Sequence, residues 1–101
     1  MNSKEIDNFV KIINEIVELK KKKAKDYGNS WRLFGLEGLY IQIGSKFARL
    51  WNLKEKSPEN EPLRDTLRDM AIYCIMAMQL IDSKETKPLI GEILNKEFKT
   101  K

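Results

Sequence analysis

The chain has 101 residues with a formal net charge of +4, 42% hydrophobic and 34% charged residues. That length holds one domain, and the mix is that of a globular chain with a heavily charged surface rather than a disordered one. The absence of His excludes His-based catalysis and ordinary zinc sites, and the single cysteine, Cys74, excludes an internal disulfide.

Five Gly and three Pro leave long stretches free of breakers, so the elements are expected to be helices. Ile6, Phe9, Val10, Ile13, Ile16 and Val17 recur at helical spacing. They predict a first helix over residues 3–26, with Asn2 or Ser3 as its cap and Gly28 beyond its last turn. The lysines from Lys20 to Lys25 suit the negative end of the helix dipole and are expected to be solvated. They lack the wider basic face a duplex nucleic acid requires, so nucleic acid is not an expected partner.

A ten-residue loop, Asp26 to Gly35, follows and carries Tyr27, Trp31 and Phe34, more aromatic surface than a plain connection needs. A second helix is predicted over 37–53, with Leu39, Ile43, Phe47 and Leu50 on one face. The polar segment KEKSPENEP ends it, and Pro62 fits the first turn of a third helix over 62–82. The second half of that helix, Met70 to Met78, is apolar all round. It predicts burial on every side, partly against a second copy, with Met70, Cys74, Met76 and Met78 in the core. A last short helix is predicted over 88–98, with Leu89, Ile90, Ile93, Leu94 and Phe98 apolar.

The expectation is therefore an all-α protein, a compact bundle of about four helices in one domain over 1–101, completed by homo-oligomerisation. The nine-residue apolar run is less than half a membrane span, and MNSKEIDNF has no apolar signal core. A soluble cytoplasmic chain, with no membrane partner, is expected.

Two polar stripes carry the chemistry. Glu61, Asp65 and Asp69 recur every four residues on the third helix and share a face. Clustered helical carboxylates hold hard cations such as Mg²⁺. Equally, they suit the positive end of the helix and can pair with Arg64 and Arg68. Gln42, Lys46 and Arg49 share a face of the second helix. Lys46 and Arg49 can grip phosphate oxygens, or can pair with Glu61 and Asp65 across the helix contact. Side by side, the stripes offer what a nucleoside triphosphate with its Mg²⁺ needs. Tyr27 and Trp31 could present a flat face to the base, or simply pack the loop. Glu15 and Glu18 stand at E-x-x-E spacing, a pattern that also arises by chance in Lys/Glu-rich helices.

The strings KAKDYGNSWR, QIGSKFARL and EPLRDTLRDMAIY resemble the phage and bacterial family called nucleotide modification associated domain, over about Lys23 to Leu80. The positions that correspond to the family's pattern are Lys23, Asp26, Tyr27, Gly28, Trp31, Gln42, Lys46, Arg49, Glu61, Asp65, Asp69 and Tyr73. They include both stripes. The layout is similar to the MazG-like all-α nucleotide pyrophosphatases, which bind Mg²⁺ through an E-x-x-E and a later E-x-x-D pair. These enzymes cut a nucleoside triphosphate to a monophosphate and pyrophosphate. Glu15 and Glu18 match the first spacing; Asp65 and Asp69 are four apart and depart from the second.

The resemblance implies a Mg²⁺-dependent nucleotide pyrophosphatase. Glu61, Asp65 and Asp69 would hold the metal and carry catalysis, joined by Glu18 or Asp26. Lys46, Arg49 and Lys23 would bind phosphate, and Tyr27, Trp31 and Gln42 the base or sugar. Two rivals stay open: a non-catalytic protein that binds or sequesters a nucleotide, and a helical interaction module whose stripes are salt bridges.

Overall fold

The computed structural model describes the backbone at residues 1–27, 30–54, 61–92 and 94, and the side chains there except at 25–27 and 61. The described residues are all-α, as the periodicity predicts. α1 spans Ser3–Tyr27, a 3-10 turn spans Ser30–Arg32, α2 spans Gly35–Leu53 and α3 spans Glu61–Ser83. Residues 89–92 are again helical, where the fourth helix is expected; positions 93 and 95–98 of it lie outside the described residues, as do Gly28 and residues 55–60.

Asn2 caps α1. Its Oδ1 accepts from the Glu5 N–H at 2.9 Å, and its own N–H donates to Glu5 Oε1 at 3.3 Å. This reciprocal box satisfies two of the amide donors that a helix start leaves without partners.

α2 begins two residues earlier than its apolar pattern predicts. Gly35 takes a φ of +63°, and a Cβ there would sit 2.5 Å from the Thr86 carbonyl oxygen. Only glycine tolerates both demands. The Leu36 N–H donates to Thr86 O at 3.0 Å, and the Ile90 N–H donates to Leu33 O at 3.0 Å. The chain leaving α3 is thereby tied to the start of α2.

α3 ends in a Schellman motif. The Lys84 N–H donates to Ile81 O and the Glu85 N–H to Leu80 O, both at 3.1 Å, with Lys84 in the left-handed region at φ 61°. That position usually holds glycine, and no glycine in the sequence marks it.

α2 and α3 form the principal helix pair. Leu39, Met76, Ala77 and Leu80 are buried between them, with Trp31, Leu36, Ile72 and Tyr73 packed around. Thr66 is buried too, its Oγ1 donating to Pro62 O at 2.6 Å. The core therefore lies between the first half of α2 and the second half of α3.

The expectation for α3 needs correcting. Met76 is in the core and Met70 is half-buried, but Cys74 and Met78 are exposed, as are Ile75 and Ile81. α2 covers only one face of α3, so an all-round apolar helix keeps a bare side within one chain.

α1 runs alongside α3 in the same sense: Glu15 meets Arg64, and Lys20 meets Met76 further on. Residues 1–15 are all exposed. Because Glu15 already stands at the first turn of α3, the earlier turns of α1 project past the α2–α3 pair. The molecule measures 60 × 30 × 23 Å. At 1.5 Å per residue, α1 alone is about 37 Å long.

Candidate functional site

A cavity of about 320 Å³ opens where the C-terminal half of α1, the 3-10 turn, α2 and α3 converge. Leu39, Ile72 and Met76 line its apolar part, with Trp31 and Phe34 from the loop and Leu19 from α1. Lys20, Lys23, Ser30, Gln42, Asp69 and Tyr73 bring polar groups. A small-molecule site combines such an apolar lining with a few converging polar groups.

Four residues expected at the site from the sequence meet there: Lys23, Trp31, Gln42 and Asp69. Tyr73 joins them and, like Lys23, is matched by resemblance alone. Gly38 also lines the cavity.

Lys20 was not expected. The lysine run is read from sequence as a solvated helix end, yet Lys20 is half-buried and Lys20 and Lys23 both face the cavity. The Lys20 ammonium lies 5.7 Å from the Trp31 ring centre and donates to Met76 Sδ at 3.7 Å. Among the described residues it forms no ion pair with a carboxylate. Burial first, and the neighbouring Lys23 charge second, push its pKa below the usual 10.5. The signal for it lay in the spacing: Lys20 is one turn before Lys23 and continues the 3,4 repeat of Ile6, Val10, Ile13 and Val17.

Trp31 has a second cation against its ring, the Arg32 guanidinium at 4.7 Å. Glu85 holds that guanidinium from beyond the end of α3. The ring is thus fixed by a charge from the very segment that packs on α2.

The two stripes do meet, as opposite charges. Lys46 Nζ stands 3.4 Å from Asp69 Oδ2 across the α2–α3 contact. Arg68 reaches both acids of its own helix, Asp65 Oδ1 at 3.4 Å and Asp69 Oδ1 at 3.6 Å. Lys46 therefore pairs with Asp69 rather than with Asp65. Arg64 turns to Glu15 of α1 at 3.0 Å. Arg49, one turn beyond Lys46, is exposed and is not part of the cavity lining.

Glu18 is exposed and pairs with Lys21 at 3.4 Å. With Glu15, Asn14 and Arg68 it lines a shallower groove on another side of α1. The E-x-x-E pair and the Asp65–Asp69 pair have separate counter-charges, Arg64 at Glu15 and Lys21 at Glu18, Arg68 at both aspartates. The side chains of Asp26, Tyr27 and Glu61 lie outside the described residues. Among the described residues, no three carboxylate or thiol side chains gather as a ready metal cage. Asp65 and Asp69 converge as a pair. A Mg²⁺ ion, which keeps several waters and uses one or two carboxylates with substrate phosphates, needs no more than that from the protein. It would have to displace Arg68 to use both. No described helix is long and apolar enough to cross a membrane.

Residues 23–81 match the family model described as nucleotide modification associated domain 1. No curated protein and no solved structure matches the chain. The matched span begins at Lys23, on the cavity wall, and ends with α3, so it takes in most of the cavity.

Proposed function

With the chain a member of the nucleotide modification associated domain 1 family, we propose that it binds a nucleotide in the α1–α2–α3 cavity. One observation carries the reading: the half-buried ammonium of Lys20, without a carboxylate partner among the described residues, set between Trp31 and Met76 and beside Lys23. A desolvated cation next to a second cation is poorly stabilised by its surroundings, and an anion restores what it lacks. Trp31, Phe34 and Ile72 provide an apolar surface of the kind a base or sugar needs, and base–aromatic stacking contributes roughly 1–3 kcal/mol. Phosphate is assigned to Lys20 and Lys23, with Lys46 and Arg49 further along α2. Base and sugar are assigned to Trp31 and Gln42, with Tyr27.

The finer form of this reading is a Mg²⁺-dependent pyrophosphohydrolase acting on a nucleoside triphosphate. Asp65 and Asp69 would hold the ion, with Glu61, Glu18 or Asp26 completing the set. When bound, the ion would supply charge neutralisation and an activated water. The protein's own part is to fix the phosphates with lysines and to close the base away from solvent. The second reading is a non-catalytic binder, favoured by one feature: Asp65 and Asp69 already have Arg68 and Lys46 as counter-charges.

A panel of ribo- and deoxynucleoside triphosphates, incubated with the pure protein with and without Mg²⁺ and resolved by chromatography, separates these readings. Metal-dependent monophosphate and pyrophosphate establish the enzyme. Binding by thermal shift without product establishes the binder. Neither product nor shift, with mono- and diphosphates included, overturns the nucleotide reading and leaves a helical interaction module.

A further inference from the structure

The charges that line the cavity are not spread evenly. Lys20 and Lys23 both reach it from α1, and among the described residues neither forms an ion pair with a carboxylate. The Lys20 ammonium lies against Met76 Sδ at 3.7 Å. Asp69, the acid of the lining, precedes Met76 by two helical turns of α3, so it stands about 10 Å further along that helix. Its charge is already shared. Asp69 meets Lys46 and Arg68, and Arg68 also meets Asp65. These two cations and two anions sum to zero. The cavity therefore has one end with two positive charges, and another that is neutral and turns a carboxylate toward whatever enters.

That arrangement sets how much negative charge a ligand can bring. A phosphate monoester carries about −1.5 to −2 at pH 7, which Lys20 and Lys23 together match. Each further phosphate adds negative charge and meets no net counter-charge at the Asp69 end, and among the described residues no other Lys or Arg lines the cavity. Size points the same way: about 320 Å³ is near the small end of ligand cavities, roughly 300–1,000 Å³. We propose that the metal-free protein selects a nucleoside monophosphate over the corresponding di- and triphosphate, a choice of ligand that rests on the nucleotide reading of this cavity. The phosphate lies against Lys20 and Lys23, with the Ser30 hydroxyl as a further donor, and base and sugar take the apolar wall. If the protein is a pyrophosphohydrolase, this ligand is its product; if it is a binder, this is the nucleotide it holds.

The test is calorimetric titration of the full chain in EDTA, with the nucleoside, mono-, di- and triphosphate of each base and with inorganic phosphate. For the base that binds best, the monophosphate is expected to bind about tenfold or more tighter than the triphosphate, the nucleoside or inorganic phosphate. Lys20→Met combined with Lys23→Met is expected to bring the monophosphate down to the affinity of the nucleoside. Asp69→Asn leaves the cluster of Lys46, Arg68 and Asp65 with one net positive charge. It is expected to improve the triphosphate relative to the monophosphate by about threefold or more. A triphosphate that binds wild type as tightly as the monophosphate overturns the proposal and leaves the nucleotide reading standing. A nucleoside that binds as tightly as its monophosphate overturns it as well, and so does an unchanged ratio in folded Asp69→Asn protein. Binding by no member of the panel overturns both the proposal and the nucleotide reading. Should Asp69→Asn fail to fold, the wild-type series decides alone.

Discussion

The Lys20 ammonium lies 5.7 Å from the centre of the Trp31 ring and 3.7 Å from the thioether sulfur of Met76. These neighbours desolvate the charge without neutralising it, and Lys23 adds to the strain. Most of what can be tested at the cavity follows from that relationship.

Replacing Lys20 by Met removes a charge that costs the free protein stability and that a bound anion needs. Lys20→Met is therefore expected to raise the melting temperature of the free protein while weakening nucleotide binding about tenfold or more. The pH dependence has a definite sign. The folded-state pKa of Lys20 lies below its unfolded value of 10.5, so the unfolded chain binds more protons in the window just under 10.5. Stability contributed by this group rises with pH there, and Lys20→Met is expected to flatten that rise. Urea titrations from neutral pH to pH 10.5, on both proteins, measure it.

Trp31 is expected to be the main contact of the base. Trp31→Leu should weaken nucleotide binding by roughly 1–3 kcal/mol, about 5- to 150-fold. Ring quenching offers a direct view, provided that exposed Trp51, which carries Lys54 over its face at 3.2 Å, is first changed to Phe. In that background, nucleotide is expected to quench the remaining emission. Unchanged emission at saturating ligand would place the base elsewhere.

The two aspartates should separate structure from catalysis. Asp69 answers both Lys46 and Arg68, and its loss leaves Lys46 without a counter-charge among the described residues and Arg68 with Asp65 alone. Asp69→Asn is expected to cost about 1–2 kcal/mol in denaturant, less than for a fully buried pair because water screens the site. Asp65 meets only Arg68 among the described residues, so Asp65→Asn should leave the fold intact. If the protein hydrolyses nucleotides, Asp65→Asn abolishes turnover. Turnover retained in a folded, metal-purified Asp65→Asn protein removes that residue from the metal set.

Two backbone positions have opposite expected responses. Lys84 holds a left-handed φ of 61° at the end of α3, which costs a non-glycine residue about 1–2 kcal/mol. Lys84→Gly should therefore raise stability by up to about 1 kcal/mol after the entropy of glycine is subtracted. Gly35→Ala combines a left-handed φ with a clash against the Thr86 carbonyl. It is expected to cost at least about 2 kcal/mol and to loosen the contact that ties the exit of α3 to α2. Chemical denaturation of both variants checks the pair.

Periodicity and breaker placement alone determine the helical class and the order of the elements, and they narrow the first cap to Asn2 or Ser3, because spacing and capping are local. The same locality makes Asp65, Asp69 and Lys46 legible as stripes. Which acid a lysine meets depends on how α2 crosses α3, and that crossing assigns Lys46 to Asp69. Lys20 shows the limit most plainly. In the sequence it is one of a run of lysines at a helix end; its place on the 3,4 repeat sets it apart from Lys21 and Lys22, but spacing does not say what that face meets. Only the docking of α1 against α3 and the 3-10 turn brings Trp31 and Met76 to it, and burial is a property of those long-range contacts. Cys74 and Met78 fail in the opposite direction. Their surroundings in sequence are apolar, but α1 and α2 leave one side of α3 uncovered, so composition promises a burial that the described residues do not provide.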